Sequence, residues 1–360
     1  MLDIEHGDAL LDYLRTTGRV GREEQPVFHN LAGGVSNRTV LVEHVDGSAW
    51  VMKQALEKLR VKVDWFSSPE RIHREAAGLR WMQNSVPGYS PALVFEDVDE
   101  HLLAMMAVPQ PHVNWKTQLL QGVVEQVYVE QFGWLLGTIQ RVANTPNPLC
   151  YEIERGNQAF NLGGKTNSPA TAETKTLFAD RTFFETLRVE PYYSYSASQV
   201  PEAAGFINEL IEATRERNLT LVHGDYSPKN VLIYEGRIVL LDYEVIHWGD
   251  PAFDVGFSLT HLLSKAHALP EHRAEFAEAA RVYWASYWGQ IQGLSFADAI
   301  EGYAVRHTLA CLLARVAGRS PLEYLNAGQR AHQQAVVVGL MGDVPATVDE
   351  LVERFTGKLS

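Results

Sequence analysis

The chain has 360 residues, of which 46% are hydrophobic and 21% charged, and its formal net charge is −13. This length and apolar content fit one large domain or two lobes and argue against disorder. The acidic balance argues against a general nucleic-acid binder, which needs a basic surface, and the two distant cysteines, Cys150 and Cys311, argue against a disulfide framework or structural zinc site and are read as buried free thiols.

Taken in chain order, "MLDIEHGDALLDYL" carries acids where a signal peptide would carry a basic and then an apolar run. No apolar stretch is long enough to cross a bilayer, so a cytoplasmic protein without membrane contact is expected. Residues 3–15 predict a short amphipathic helix, with Ile4, Leu10, Leu11 and Leu14 on one side. "VFHNLAGGVSNRTVLVEHVDGSAWVMKQA" reads as strand, Gly-rich turn, strand, Asp-Gly turn, strand. "SSPERIHREAAGLRWMQN" reads as a helix that Ser68 caps and Pro69 opens, and "ALVFEDVDEHLLAMMAV" supplies two more strands. "PQPH" at 109–112 breaks this regularity, which places a boundary between a lobe at 1–108 and a second at 109–360.

Helical periodicity dominates the second lobe. "VVEQVYVEQFGWLLGTIQRV" is a long helix, 161–176 a mobile polar loop, and further helices are expected near 178–188, 201–217 and from 252 onward. Between them, "LVHGDYSPKNVLI" and "RIVLLDYEV" form a hairpin. The overall expectation is an α+β, bilobal fold: a β-rich N-terminal lobe and a mostly helical C-terminal lobe.

That hairpin carries the chemistry. Asp225 sits on a loop, Asn230 follows five residues later, and Asp242 closes the returning strand. Phosphoryl transfer needs such a set: one carboxylate to orient the attacking hydroxyl, and an amide oxygen and a second carboxylate to hold magnesium on the nucleotide phosphates. Side chains two apart on a strand face the same way, so Glu244 either joins Asp242 at the metal or is a solvated strand end. In the first lobe, Lys53 lies on a strand between apolar residues, where a lone lysine is expensive unless paired. Glu75 on the following helix is the preferred partner, with Glu70 the alternative.

"HGDYSPKN", "LLDYE" and "GDPAFDVGF" together resemble the aminoglycoside phosphotransferase and choline kinase superfamily, relatives of the protein kinases. The resemblance implies a protein-kinase-like fold, ATP and magnesium as cofactors, Asp225 as catalytic base, and Asn230, Asp242 and Glu244 as metal ligands. It implies that Lys53, paired with Glu75, holds the α- and β-phosphates, and that Asp254 braces the catalytic loop. "AGGVSNRTVLV", which lacks a GxGxxG pattern, would cover the phosphates through Gly33, Gly34 and Ser36. The backbone near Met106 and Val108 would pair with adenine by its position.

Lys53-Gln54-Ala55-Leu56, Arg60 and Trp65 resemble bacterial methylthioribose kinases, as "VEPYYSY" does weakly, while "ARVAGRSPLEYL" resembles another branch of the superfamily. Trp65, Tyr192, Tyr193, Tyr226 and Trp248 are candidates for a substrate pocket, with Tyr226 favoured by its place beside Asp225. Arg315 is read either as a substrate contact or as a solvated arginine, and Arg306 as solvated. The expected activity is transfer of the γ-phosphate of ATP to a hydroxyl of a small molecule, sugar-like, methylthioribose-like or an amino alcohol. The alternatives are an aminoglycoside O-phosphotransferase and a nucleotide-binding pseudokinase with a ligand-sensing role. The absence of an Ala-Pro-Glu-like segment after Asp242 disfavours a protein kinase.

Overall fold

A computed structural model describes residues 2–31, 34–60, 64–145, 152–155, 158–161 and 171–359. Helix α1 (Gly7–Thr16) precedes strands β1 (Val27–Asn30), β2 (Asn37–Glu43) and β3 (Ala49–Ala55). Helix α2 (Arg71–Ser85) leads to β4 (Leu93–Asp97) and β5 (Leu102–Met106). The five strands form one antiparallel sheet in the order β1-β2-β3-β5-β4.

Strand alternation sorts this sheet into two faces. Met52, Leu102 and Ala104 pack on the Leu10 and Leu14 face of α1. Leu103 and Met105 point the other way, into the core that contains Ile72, Ala76 and Leu79 of α2. Lys53 follows Met52 and therefore faces α2, which is how a strand lysine meets a helix glutamate. Helix α2 starts regularly at Arg71, and Ser68 Oγ accepts the Glu70 N–H just before it at 3.3 Å.

After β5 the chain pairs through β6 (Val113–Asn114) with a hairpin far along the sequence. Helices α3 (Trp115–Leu120) and α4 (Gln126–Asn144) follow, then a hairpin of β7 (Glu152–Arg155) and β8 (Gln158–Asn161). The loop expected at 161–176 falls on residues 162–170, outside the described residues, and on α5 (Thr171–Leu177), which is helical instead. Short α6 (Thr182–Phe184) runs into a π-helical stretch at Glu185–Ser194, then α7 (Tyr195–Gln199) and α8 (Ala204–Glu216). Strands β9 (Thr220–Val222), β10 (Val231–Tyr234), β11 (Arg237–Leu240) and β12 (His247–Gly249) bracket the hairpin. Helices α9 (Pro251–Ala268), α10 (Arg273–Ile291), α11 (Ala297–Ala317), α12 (Ala327–Met341) and α13 (Val348–Gly357) complete the chain.

One large apolar core runs from α2 through the C-terminal helices and includes Cys311; Cys150 lies outside the described residues. Among the described residues no helix is long and apolar enough to cross a membrane.

The two regions meet closely at Gly78 of α2. A Cβ there would lie 2.6 Å from Tyr243 Cβ and 3.0 Å from Tyr243 Cγ. Gly78→Ala is therefore expected to destabilise the protein by about 1–3 kcal/mol, read from the urea midpoint, because backbone must move to admit the methyl. An unchanged midpoint would mean that the Asp242–Glu244 segment yields freely.

Candidate active site

A cavity of about 720 Å³ lies between the sheet and the helical region. Gly34, Ser36, Asp225, Asn230, Asp242 and Glu244 all line it, together with Trp65, Tyr192 and Arg315. The expected residues thus converge from five distant parts of the chain.

The loop after β9 is built to present Asp225. Gly224 adopts φ +78°, and a Cβ there would meet Val245 Cγ1 at 2.7 Å, so this turn needs glycine. Asp254, in the first turn of α9, accepts the N–H groups of His223 at 2.6 Å and Gly224 at 2.9 Å. These are the bonds of a residue that holds the loop from below.

His223 adds a second brace. Its Nδ1 accepts the Asp225 N–H at 3.1 Å, and its Nε2–H donates to Leu241 O at 3.2 Å, so the neutral ring links the two halves of the site. Burial depresses its pKa to about 4. An unfolded histidine titrates near 6.5, so on acidification the unfolded chain takes up this proton first. The stability contributed by neutral His223 is complete above about pH 6.5 and is lost as pH falls towards 4. From pH 7.5 to pH 5, wild type should lose about 2 kcal/mol more than His223→Gln in urea titrations. Equal pH slopes for the two proteins would refute this.

The Asp225 carboxylate is 2% exposed. Its Oδ2 is crowded, with Lys229 Nζ at 2.8 Å, Asn230 Nδ2 at 2.8 Å and Arg188 NH2 at 3.1 Å. Its Oδ1 is buried without a hydrogen-bond partner. Burial alone would raise this carboxyl, but the Arg188 guanidinium and Lys229 ammonium outweigh it and hold it below the usual carboxylate range. Asn230 spends its amide N–H groups on Asp225 O and Oδ2, which leaves its own oxygen for another partner.

Strand β11 ends at Leu240, and Asp242 takes a left-handed φ of 72°. The expectation that Asp242 and Glu244 share a strand face is therefore incorrect: both line the cavity because the chain bends there, not because a strand alternates. Lys53 Nζ reaches Glu75 Oε1 at 2.6 Å and Asp242 Oδ1 at 3.4 Å. Burial opposes its charge, yet Asp242 and Glu75 more than compensate and raise its pKa, so Lys53 stays cationic. Glu70, the alternative partner, is exposed and lies near His73 and His101 instead.

Glu244 is neither solvated nor free. It accepts from Arg71 Nε at 3.1 Å and from Asn37 Nδ2 at 3.4 Å. Arg71 is fully buried and also donates to Ser67 O, Ser68 O, Leu56 O and Ser36 O. It thus ties the loop before β2 to the start of α2 and to Glu244.

Tyr226 is a correction. It is fully buried, stacks on Phe132 with ring centroids 4.3 Å apart, and donates its hydroxyl to Phe132 O at 2.8 Å. Its neighbour Asp225 faces the cavity, and Tyr226 points the opposite way, into the core. Tyr193 and Trp248 are core residues too, with Tyr193 hydroxyl 2.7 Å from His307 Nδ1. Arg306 pairs with Glu209 on the surface, and Arg60 makes a two-pronged pair with Glu5. Gly33 lies outside the described residues. The Met106 N–H is already spent on Ala92 O, and Val108 O accepts from His112 Nδ1 at 3.0 Å. The Met106 N–H and the Val108 carbonyl, expected to pair with adenine, thus already have partners within the protein.

Three residues at the site escaped the sequence reading. Arg71 sits between Glu70 and Ile72 in a polar helix start and Arg188 between Leu187 and Val189, with no local sign that a buried carboxylate awaits them. Lys229 had a usable signal, its four-residue spacing from Asp225. Arg188 and Tyr192, four residues apart, both line the cavity, and the stretch that carries them is π-helical and contains Pro191; such wide turns recur at functional sites.

A family model described as the phosphotransferase enzyme family matches residues 27–294. The methylthioribose kinase of Yersinia pseudotuberculosis is 24% identical over 272 residues, 72% of this chain and 64% of the relative. Methylthioribose kinase 2 of Oryza sativa is 22% identical over 270 residues, 71% of this chain and 61% of the relative. The chain therefore spans less than two thirds of the length of these curated relatives. Among solved structures, a choline/ethanolamine kinase family protein from Mesorhizobium loti superposes with TM-score 0.53 at 14% identity, covering 97% of this chain and 99% of that one. An amicoumacin kinase in complex with AMP-PNP and Ca2+ also gives TM-score 0.53, at 15% identity with 89% of each chain covered. The structural likeness establishes the fold, the bilobal protein-kinase-like arrangement, and the matched 27–294 segment contains every candidate phosphate-handling residue from Gly34 to Glu244. The chain belongs to the phosphotransferase enzyme family.

Proposed function

We propose that this protein is a small-molecule kinase that moves the γ-phosphate of ATP to a hydroxyl of its acceptor in a magnesium-dependent reaction. The observation that carries the reading is the buried, unspent oxygen of Asp225, a residue that lines the cavity with Asn230 and with Asp242, which Lys53 contacts. The donor set suits the group it would hold: Asn230 amide oxygen and the Asp242 carboxylate are hard oxygen ligands. Magnesium bound there would supply charge neutralisation on the β- and γ-phosphates.

Asp225 Oδ1 accepts the hydrogen bond of the acceptor hydroxyl and aims its oxygen at the γ-phosphorus. As the new O–P bond forms, the β,γ-bridging P–O bond breaks and the hydroxyl proton passes to Asp225. A carboxylate stabilised by two cations is a weak base, so Asp225 works mainly by orientation, which suits a loose phosphoryl transition state. Lys53 and the backbone around Gly34–Ser36 stabilise charge on the phosphates.

The test is transfer of labelled γ-phosphate from ATP to a panel of hydroxyl compounds that includes methylthioribose, sugars, amino alcohols and an aminoglycoside. Product that requires magnesium supports the reading. Nucleotide bound tightly with no product on any acceptor would instead favour a pseudokinase.

A further inference from the structure

The acceptor half of the cavity has an unbalanced charge. Elsewhere around it each cation has a carboxylate: Lys53 has Glu75 and Asp242, Arg71 has Glu244, Arg188 and Lys229 share Asp225, and Lys116 has Glu323. Arg315 differs. It is 7% exposed, and among the described residues its hydrogen bonds go only to neutral groups: Tyr192 hydroxyl at 3.1 Å, Ser320 O at 2.6 Å and Ser320 Oγ at 3.2 Å. Its Nε is buried with no acceptor.

The surrounding wall repeats this deficit. His261 of α9 lines the same cavity, is 3% exposed, and its Nε2 is buried and unpartnered. One turn on, Lys265 is fully buried and donates to His261 O at 3.1 Å. Burial pulls the Lys265 amine down to about 7, and Lys116 and Arg315 add repulsion that Glu323 partly offsets. Burial likewise pulls His261 down, with Lys265, Arg315, Lys229 and Lys116 acting in the same direction. A buried charge without a counter-ion is costly, and buried donors without acceptors are rare, so this wall is arranged for something that brings both negative charge and oxygen acceptors.

We propose that the phosphate acceptor is an anionic hydroxyl compound, whose carboxylate or phosphate ester seats against Arg315 and His261 while its hydroxyl meets Asp225. The proposal rests on the phosphoryl-transfer reading of the cleft. An oxyanion supplies the missing acceptors to the Arg315 guanidinium in charge-assisted bonds and relieves the repulsion among Arg315, Lys116 and Lys265. A cationic amino alcohol or aminoglycoside would add like charge to the same wall, which selects against it.

Calorimetric titration of the full chain loaded with Mg·AMP-PNP tests this with four probes: gluconate, glucose 6-phosphate, glucose and glucosamine. At least one anion should bind roughly tenfold or more tighter than glucose, with glucosamine weakest. The comparison of gluconate with glucose 6-phosphate separates a carboxylate from a phosphate ester. Arg315→Gln should erase the preference for the anion and leave Mg·AMP-PNP affinity within about twofold, while Arg315→Lys should keep part of the preference. Glucose or glucosamine binding as tightly as both anions, neither anion binding, or an unchanged preference in Arg315→Gln would overturn the proposal. Labelled phosphate transfer keeps the two readings apart. An anion that binds through Arg315 but receives no phosphate counts against the kinase reading alone, and transfer confined to neutral sugars counts against the anionic acceptor alone.

Discussion

Asp225→Asn should lower kcat by about 10²–10⁴ while the affinity for magnesium-nucleotide changes little. The substitution keeps the shape of the side chain and removes its ability to accept a proton. Oδ1 is the atom that matters, because Oδ2 is already held by Lys229, Asn230 and Arg188. Nucleotide affinity is expected to survive because Lys53, Asn230 and Asp242 remain. Stability should fall as well, since Arg188 is 6% exposed and would lose its only described carboxylate partner. Kinetics and a urea titration on one preparation separate the two effects. Full activity in Asp225→Asn would show that the chemistry lies elsewhere.

Arg71→Ala should destabilise the protein by about 3–5 kcal/mol, since removing one partner of a buried ion pair strands the other. Glu244 would remain 6% exposed with Asn37 Nδ2 as its remaining described donor, and four backbone carbonyls would lose the guanidinium that gathers them. Two of those carbonyls belong to Ser36 and Leu56, so the loop before β2, proposed to cover the phosphates, should loosen and nucleotide affinity should drop. Arg71→Lys should rescue little, because a single ammonium cannot reach acceptors that a planar fork spans. A variant with the wild-type urea midpoint, or with unchanged nucleotide affinity, would contradict this account. The same geometry bears on Glu244 as a metal ligand: Oε2 is the oxygen that Arg71 and Asn37 hold, so a metal would have to use the other.

Much of the architecture was legible in the sequence because it repeats at short range. Alternating apolar residues and an Asp-Gly turn specify the first strands, and helical spacing specifies α2 and the C-terminal helices. Lys53 was legible as a site residue for an energetic reason: a lysine in the middle of an apolar strand requires a carboxylate, and Glu75 provides one at 2.6 Å. The Asp225 and Asn230 loop stood out because polar residues interrupt two apolar runs.

What failed was inference of direction and of partners. Tyr226 was placed at the substrate because it adjoins Asp225, but adjacent residues on a loop can face opposite sides, and its ring belongs to the Phe132 stack. Strand alternation does not account for Asp242 and Glu244 at the cavity, because β11 stops at Leu240 and the chain bends at Asp242.

By itself, then, the sequence determined the elements, the reaction-bearing loop and the need for a counter-ion at Lys53, because these follow from local periodicity and from the cost of one residue in its own surroundings. Only the tertiary structure decided which charges are neutralised. Arg71 with Glu244, 173 residues away, Arg188 with Asp225, and Arg315, whose described hydrogen bonds go to no carboxylate, look alike in the sequence. A buried charge is governed by what folding carries to it across space, and spacing along the chain does not record that.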